Sequence, residues 1–596
     1  MRRALDEERV RARQTIAIAV AMLVAAAAAL GAEPVRDWRN IRTGREIPSE
    51  GYADQPYVVI MRGGEWLCTL TTGKGAEGRK GQHVVSTTSK DRGKTWTPLV
   101  DIEPADGPEA SWAIPYVNYY GRAFVFYTYN GDRVRTLRGA PIRADMLGWY
   151  CYRTSDDRGR SWSKERFRLP MPRAACDRTN DWQGEAQLFW GVSKPVRVGS
   201  RVMFSFTRLG TYMLEKGEGW LYVSDDLYLQ RESMRPTWRL LPEGGGGIRS
   251  AEFGSVQEEH VLAALSVHRL VCAFRTTTGY AATSRSIDGG RTWTEPERMT
   301  QAPGGRPVKN PRANVKIWRS VYGRFLLWYH NHGGKDYDGR NPAWLAGGIE
   351  KDGRIHWSQP EIVLYDPEPK TRISYPDLVE EEGRFYITET QKTVARVHEI
   401  NRLAVHGLWS QFEHKYAATG GLVLDLRGNK CGPGATAKLP ALPDLSTGGG
   451  FSVGFWVRFD DLAGGQTILD TRAARGKGLA IETTAKGTVG LSMSDGARRV
   501  KADCDLGVLT AGAWHHVVIT VDGGPKMITW VVDGVLCDGG EARACGWARF
   551  PASLGDVNGN RDVSLGLNLH GGLGGLRIYN RYLRTSEAVG NFRAGR

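Results

Sequence analysis

Three stretches of the chain repeat one eight-residue pattern. Ser89, Asp91, Gly93, Lys94, Thr95 and Trp96 make the first; Ser155, Asp157, Gly159, Arg160, Ser161 and Trp162 the second; Ser286, Asp288, Gly290, Arg291, Thr292 and Trp293 the third. The shared form is S-x-D-x-G-[KR]-[ST]-W. Such a segment reads as a hairpin turn: the Asp carboxylate caps nearby backbone N–H groups, the Gly supplies a positive φ, and the Trp covers the turn. Trp96 and Trp162 are 66 residues apart, and Trp162 and Trp293 are 131 apart, close to twice that. A degenerate copy is expected between them, and Ser224, Asp225 and Asp226 followed by Trp238 supply it. Residues 350–357, ending in Trp357, read as a fifth, worn copy. A unit of about 65 residues built from short strands has the length of a four-stranded propeller blade. Residues 50–412 hold five to six such units; we expect six blades, with an N-terminal strand completing the last.

Composition agrees with short strands and tight turns. The 596 residues include 74 Gly and 20 Trp, with 41% hydrophobic and 24% charged residues, which excludes a disordered or fibrous chain. After Trp409 the texture changes to Gly-rich alternating strands. Examples are residues 451–459, 514–520, 575–581, and 529–535 with its Asp533-Gly534 turn. The expected fold class is therefore all-β: a six-bladed β-propeller over residues 33–415 followed by a β-sandwich jelly roll over residues 421–596.

Residues 1–32 read as a secretory signal peptide: Arg2, Arg3, Arg9, Arg11 and Arg13, an apolar run over residues 16–30, then Gly31-Ala32. That run is shorter than a bilayer span of about 20 residues, so the mature protein is expected to be secreted, periplasmic or cell-surface, with no integral membrane domain. Net charge is +15; removing five Arg, Asp6, Glu7 and Glu8 with the signal leaves +13. The positive charge is spread rather than blocked, so an anionic glycan is the expected partner and nucleic acid is not. The eight cysteines show no C-x-x-C or zinc spacing. Cys68, Cys151, Cys176 and Cys272 read as buried thiols, and a disulfide within Cys504, Cys537 and Cys545 is plausible. No cofactor is expected.

The repeats resemble the Asp boxes of the sialidase (neuraminidase) superfamily, and the C-terminal strands resemble a laminin G-like, concanavalin-type domain. The family's motifs can be matched one at a time. Glu258-Glu259 leads by a hairpin to Arg275, just ahead of the box at Ser286. The resemblance implies that Glu259 polarises the nucleophile and that Arg275 helps clamp the substrate carboxylate. Arg340, before the worn box, fits the second clamp arginine, a role suited to its planar fork. Tyr375, followed by Asp377 and a strand ending in Glu389, fits the tyrosine nucleophile. A neutral phenol avoids the repulsion that an anionic nucleophile would meet at an anomeric centre bearing a carboxylate.

Two positions depart from the family. Asp54, in Asp54-Gln55-Pro56, stands where a clamp arginine is expected, leaving Arg62 or Arg312 as substitutes. The family's acid, an Asp shortly before the first box, is missing, so His83 or Asp54 takes that role. Other polar stretches expected at the same mouth are residues 107–112, 309–312, 329–334 and 389–392. From these and the matched strands, Arg312, His330, His332, Asp377, Glu389 and Gln55 are the further substrate-binding candidates. Two histidines two apart make only a weak metal signal, and no metal is expected. The implied activity is that of an exo-α-sialidase-like glycosidase releasing a terminal acidic sugar. The alternatives are a hydrolase or lyase of another acidic polysaccharide and a non-catalytic glycan-binding protein.

Overall fold

The computed structural model describes residues 37–211, 215–231 and 235–596; the expected signal peptide lies outside them. Between Arg45 and Ile400 the chain folds into six antiparallel sheets of four or five strands. Their first strands are Tyr52–Ile60, Ala110–Val117, Leu188–Trp190, Gln257–Ala264, Lys316–Arg319 and Ser374–Glu381. Strands pair in chain order, apart from one short extra strand in the third and fifth sheets. The sixth sheet takes its outermost strand, Arg45–Ile47, from the other end of this region, with Arg45 opposite Val397.

The repeated turns sit between the third and fourth strands of their sheets. In each, the Ser hydroxyl donates to the Asp and accepts from the Gly N–H, while the Asp accepts from the N–H and hydroxyl of the [ST] residue. The degenerate copy keeps this chemistry across a longer turn. Asp226 binds Ser224 and Thr237, which is eleven residues away rather than four, and Trp238 follows. The worn copy is a two-residue Asp352-Gly353 hairpin, with Lys351 paired to Arg354.

Strands such as Trp66–Gly73 and Ala123–Tyr129 are buried at every residue, as sheets packed on both faces require. Consecutive sheets share apolar clusters. Tyr57, Phe126 and Phe204 join the first three, Met203 and Phe274 the third and fourth, and Ala273 and Phe325 the fourth and fifth. Leu326 and Phe385 join the fifth and sixth, while Trp66 and Tyr386 bring the sixth against the first. Where the first strands meet, Lys316 Nζ donates to Tyr57 Oη (2.9 Å), and Asp377 accepts from Val58 N (2.8 Å) and Lys194 Nζ (2.7 Å).

The C-terminal part is a sandwich. A seven-stranded sheet containing Phe451–Phe459, Trp514–Asp522 and Gly571–Tyr579 faces the four strands between Thr467 and Asp503. Phe451, Val453, Phe455 and Val457 pack there with Ile481 and Leu491. The other face of the larger sheet meets the fourth and fifth N-terminal sheets, so that Val518 and Tyr579 share a cluster with Ile317, Phe325 and Trp344. A buried Arg39–Asp522 ion pair (2.6 Å) adds a tie. Among the described residues no helix is long and apolar enough to cross a membrane. All eight cysteines are unpaired, so the disulfide expected within Cys504, Cys537 and Cys545 does not form; Cys68, Cys151 and Cys272 are buried as expected, whereas Cys176 is half-buried.

Candidate active site

The first strands of the first, second, fourth and sixth sheets carry the same irregularity. Between Asp54 and Tyr57, Ser111 and Ile114, Glu258 and Val261, and Ser374 and Asp377, three steps on the first strand oppose two on its neighbour. Each is a one-residue bulge, and its first residue is left-handed without being glycine: Gln55 (φ 53°), Trp112 (φ 67°), Glu259 (φ 58°) and Tyr375 (φ 47°). Such a conformation costs roughly 1–3 kcal/mol per residue and persists only where the surroundings impose it. A bulge re-aims the side chain that it carries. In two of the four the next residue is Pro56 or Pro376, which needs no ladder partner for a backbone N–H.

Two of these bulge residues meet. Tyr375 Oη donates to Glu259 Oε1 at 2.7 Å, and both side chains are buried. Burial, then the Glu259 charge, pushes the Tyr375 phenol far above its ordinary value, against the opposing pull of Lys392 and Arg275. Arg275 pairs with Glu259 (Nη1 to Oε1, 2.8 Å) and with Glu258 (Nη2 to Oε1, 3.0 Å). Arg312 Nε donates to the same Glu258 oxygen at 2.8 Å. Arg340 donates from Nη1 to Ser374 Oγ (2.9 Å), beside the tyrosine, and from Nη2 to the Arg312 carbonyl. Its Nε is buried without a partner, as are Glu258 Oε2 and Glu259 Oε2. The Tyr337 ring lies over this group, with the guanidinium carbons of Arg312, Arg340, Arg372 and Arg275 at 4.9, 5.3, 5.5 and 6.0 Å from its centroid. Four arginines against Glu258, Glu259 and the Asp338 that pairs with Arg372 (3.6 Å) leave an excess of positive charge with open hydrogen-bonding capacity.

The other flank of Tyr375 carries an alternating charge chain. Lys392 Nζ sits 4.3 Å from the Tyr375 ring centroid, 2.6 Å from Asp54 Oδ2 and 3.3 Å from Glu77 Oε2. Asp54 is fully buried and also accepts from Tyr52 Oη (2.9 Å). Burial raises its carboxyl to about 6, with Lys392 pulling it down and Glu77 pushing it up. Glu77 goes the other way: against burial, Lys392 and Arg143 hold it at about 2.

The structure therefore gathers Tyr375, Glu259, Arg275, Arg340 and Arg312, with Asp54 joined through Lys392. It engages seven other candidates with different partners or leaves them exposed. His83 is held between the Glu103 carbonyl (Nδ1, 2.8 Å) and Glu50 (Nε2, 3.0 Å). Gln55 reaches the Gly191 carbonyl (3.4 Å), and Asp377 lies two residues deeper along its strand, on Lys194. Glu389 pairs with His398 (3.1 Å). His330 is buried near the Pro342 carbonyl, and His332 accepts from Gly334 N (3.1 Å) beside Trp547. Arg62 is exposed at the far end of the strand that carries Asp54. Among the described residues no group of three His, Cys, Asp or Glu could hold a metal. Sequence reasoning missed the roles of Glu258, Tyr337, Arg372, Glu77 and Lys392. Two of them had a usable signal: Glu258 stands in the matched Glu258-Glu259 pair, and Lys392 ends a polar stretch expected at the mouth.

The comparisons with known proteins follow this division of the chain. Residues 110–387 match the BNR repeat-like domain, and residues 432–589 match the concanavalin A-like lectin/glucanases superfamily. No curated protein matches the chain. Among solved structures, a protein of unknown function from Dyadobacter fermentans is 19% identical with a TM-score of 0.45, over 60% of this chain and 98% of that one. A Hadza microbial sialidase is 16% identical with a TM-score of 0.41, over 58% and 66%. The Trypanosoma rangeli sialidase in complex with 2,3-difluoro-KDN is 14% identical with a TM-score of 0.42, over 94% and 98%. The chain thus carries a BNR repeat-like domain followed by a concanavalin A-like domain.

Proposed function

We propose that the chain is an exported glycoside hydrolase of sialidase type that releases a terminal acidic sugar, sialic acid being the first candidate. Its six N-terminal sheets are the blades of a propeller spanning residues 33–415, closed by Arg45–Ile47, and residues 421–596 are a laminin G-like jelly roll. The observation that carries the reading is the buried Tyr375–Glu259 hydrogen bond of 2.7 Å beside an arginine cluster. A phenol held at neutral pH becomes a nucleophile only if a base takes its proton as it attacks, and Glu259 is in position to do so. Tyr375 Oη bonds to the anomeric carbon, the bond to the leaving oxygen breaks, and an acid protonates that oxygen. Water then attacks the anomeric carbon, the acid now acting as base takes its proton, and Glu259 returns its proton to Tyr375 Oη as the tyrosyl–sugar bond breaks.

Asp54 is the better acid of the two expected, because its raised value of about 6 leaves a protonated fraction in mildly acidic solution. Arg275, Arg340 and Arg312 receive the sugar carboxylate, for which the unpartnered Arg340 Nε is free. A second reading, hydrolysis or lysis of another acidic polysaccharide, is favoured by one observation: Asp54, paired with Lys392, stands where the family's clamp arginine is expected, so the carboxylate subsite is not built as in a sialidase. The test is sugar release from sialylated mucin-type glycans by the purified protein and by Tyr375→Phe. Free sialic acid that disappears in the mutant supports the reading. A lyase product absorbing in the ultraviolet supports the second reading, and binding without turnover supports a lectin.

A further inference from the structure

Arg312 and Arg340 sit on two loops of the N-terminal region, and both loops are gripped by one segment of the C-terminal domain. The loop between the strands Phe325–Tyr329 and Ala343–Lys351 carries Tyr337 and Arg340. At its start, Trp547 Nε1 donates to the Asn331 carbonyl (3.4 Å), and Gly333 N donates to the Ala544 carbonyl (2.7 Å). At its end, Arg549 Nη2 donates to the Asn341 carbonyl (3.0 Å), one residue from Arg340. The second loop is held three residues before Arg312. There Lys309 Nζ donates to three carbonyls of the same segment, those of Asp538 (2.9 Å), Gly540 and Arg543 (2.6 Å). The two loops are joined by the Arg340 bond to the Arg312 carbonyl.

The gripping segment is itself fixed inside its domain. The Asp505 carboxylate accepts from Asp538 N (2.8 Å), Gly539 N (2.9 Å) and Arg543 Nη2 (2.7 Å). Loops with few apolar contacts open easily unless their backbone is tied down, and a clamp acts on an anion only if its guanidinium groups hold a fixed geometry. Nothing equivalent holds Glu259 and Tyr375, which stand on strands.

We infer that the C-terminal domain positions the arginine half of the site: its segment 536–549 is a clasp that orders the loops carrying Arg312 and Arg340, so that the acid subsite is complete only in the two-domain chain. Trp547, Arg549 and Asp505 are positioning residues in this account, and the loops they hold reach the catalytic pair through Ser374 and Glu258. The inference rests on the proposed function for its substrate, but not for its structural content.

The experiment uses the full chain and the variants Arg549→Ala, Trp547→Ala and Arg549→Lys, with Trp514→Ala, placed elsewhere on the same domain, as control. Hydrogen exchange is followed in the peptide covering residues 331–341, where the Gly333 N–H reports the clasp directly. Turnover is followed with a sialylated trisaccharide. The clasp predicts at least tenfold faster exchange at Gly333 in Arg549→Ala and Trp547→Ala, unchanged exchange in residues 257–264, and partial rescue by Arg549→Lys. It also predicts a KM several-fold higher with kcat within twofold. Unchanged exchange at residues 331–341, or equal effects of Trp514→Ala, would overturn it, as would a fall in kcat at constant KM. If no variant, nor the parent, turns over the trisaccharide, the proposed function fails while the exchange result still decides the clasp.

Discussion

Replacing Lys392 with methionine should make the stability of the protein depend on pH between 5 and 8 more steeply than it does in the parent. The ammonium stands 2.6 Å from Asp54, whose carboxylate would keep only Tyr52 Oη and the Gln55 N–H as donors. Two unit charges about 3.5 Å apart interact by about 5 kcal/mol at an effective dielectric of about 20. The Lys392 side chain is 27% exposed, so water screens part of this; we take about 2 kcal/mol, or roughly 1.5 pKa units. Burial already raises Asp54 from 3.8 to about 6, so the variant moves it further upward.

A carboxyl raised on folding favours the folded state when protonated. That contribution is complete below the unfolded value of 3.8 and is lost as pH rises through the folded value. At pH 5 Asp54 is mostly neutral in both proteins. At pH 8 the parent has an ionised, paired Asp54, whereas the variant must bury it unpaired or keep it protonated. The groups facing Asp54 are Tyr52, Lys392 and Glu77, and the Tyr375 phenol also feels its charge. Removing Lys392 also takes away the largest pull that holds Glu77 low, leaving Arg143, and a Glu77 carboxyl raised in the variant widens the gap toward high pH in the same direction. Thermal melts should therefore show a gap between parent and Lys392→Met that is a few degrees wider at pH 8 than at pH 5, with Lys392→Arg close to the parent. A gap of the same size at both pH values would refute the coupling.

Three further outcomes follow. Glu259→Gln should lower kcat by at least about a thousandfold while the fold persists, because the phenol loses its base; steady-state kinetics and circular dichroism check both. Arg340→Lys should raise KM about tenfold or more with a smaller change in kcat, since one ammonium cannot replace the fork that reaches Ser374 and the Arg312 carbonyl. Asp288→Ala, in the third repeated turn, should destabilise by about 1–2 kcal/mol through its lost caps and leave KM untouched, as read by denaturant unfolding.

The sequence carried the architecture because its turns are local. Asp91, Asp157 and Asp288 each bind residues within four positions, so the chemistry of the box is visible in eight letters. The fourth copy was recoverable for the same reason, although eleven residues separate Asp226 from Thr237. The Tyr375–Glu259 and Arg275 contacts were expected through resemblance, since each residue sits at a recognisable place on its strand. Lys392 was different. Its partner Asp54 is 338 residues away, and only the meeting of the first and sixth sheets brings them together. Tyr337 lies in a polar loop with no periodicity, and that loop is bonded to the C-terminal domain at Gly333, a long-range contact that its own residues do not announce. His83 stands shortly before the first box, where the family's acid is expected, but Glu50 and the Glu103 carbonyl engage both of its nitrogens.

The most direct measurement is covalent trapping. The protein is incubated with 2,3-difluorosialic acid, a substrate analogue whose C2 fluorine leaves as fluoride in the first step and whose C3 fluorine slows the second, and digested peptides are mapped by mass spectrometry. The account predicts a single sugar adduct on Tyr375, absent in Tyr375→Phe and slower to form in Glu259→Gln. An adduct on another residue, or none although sialic acid is released, would contradict a tyrosine nucleophile activated by Glu259.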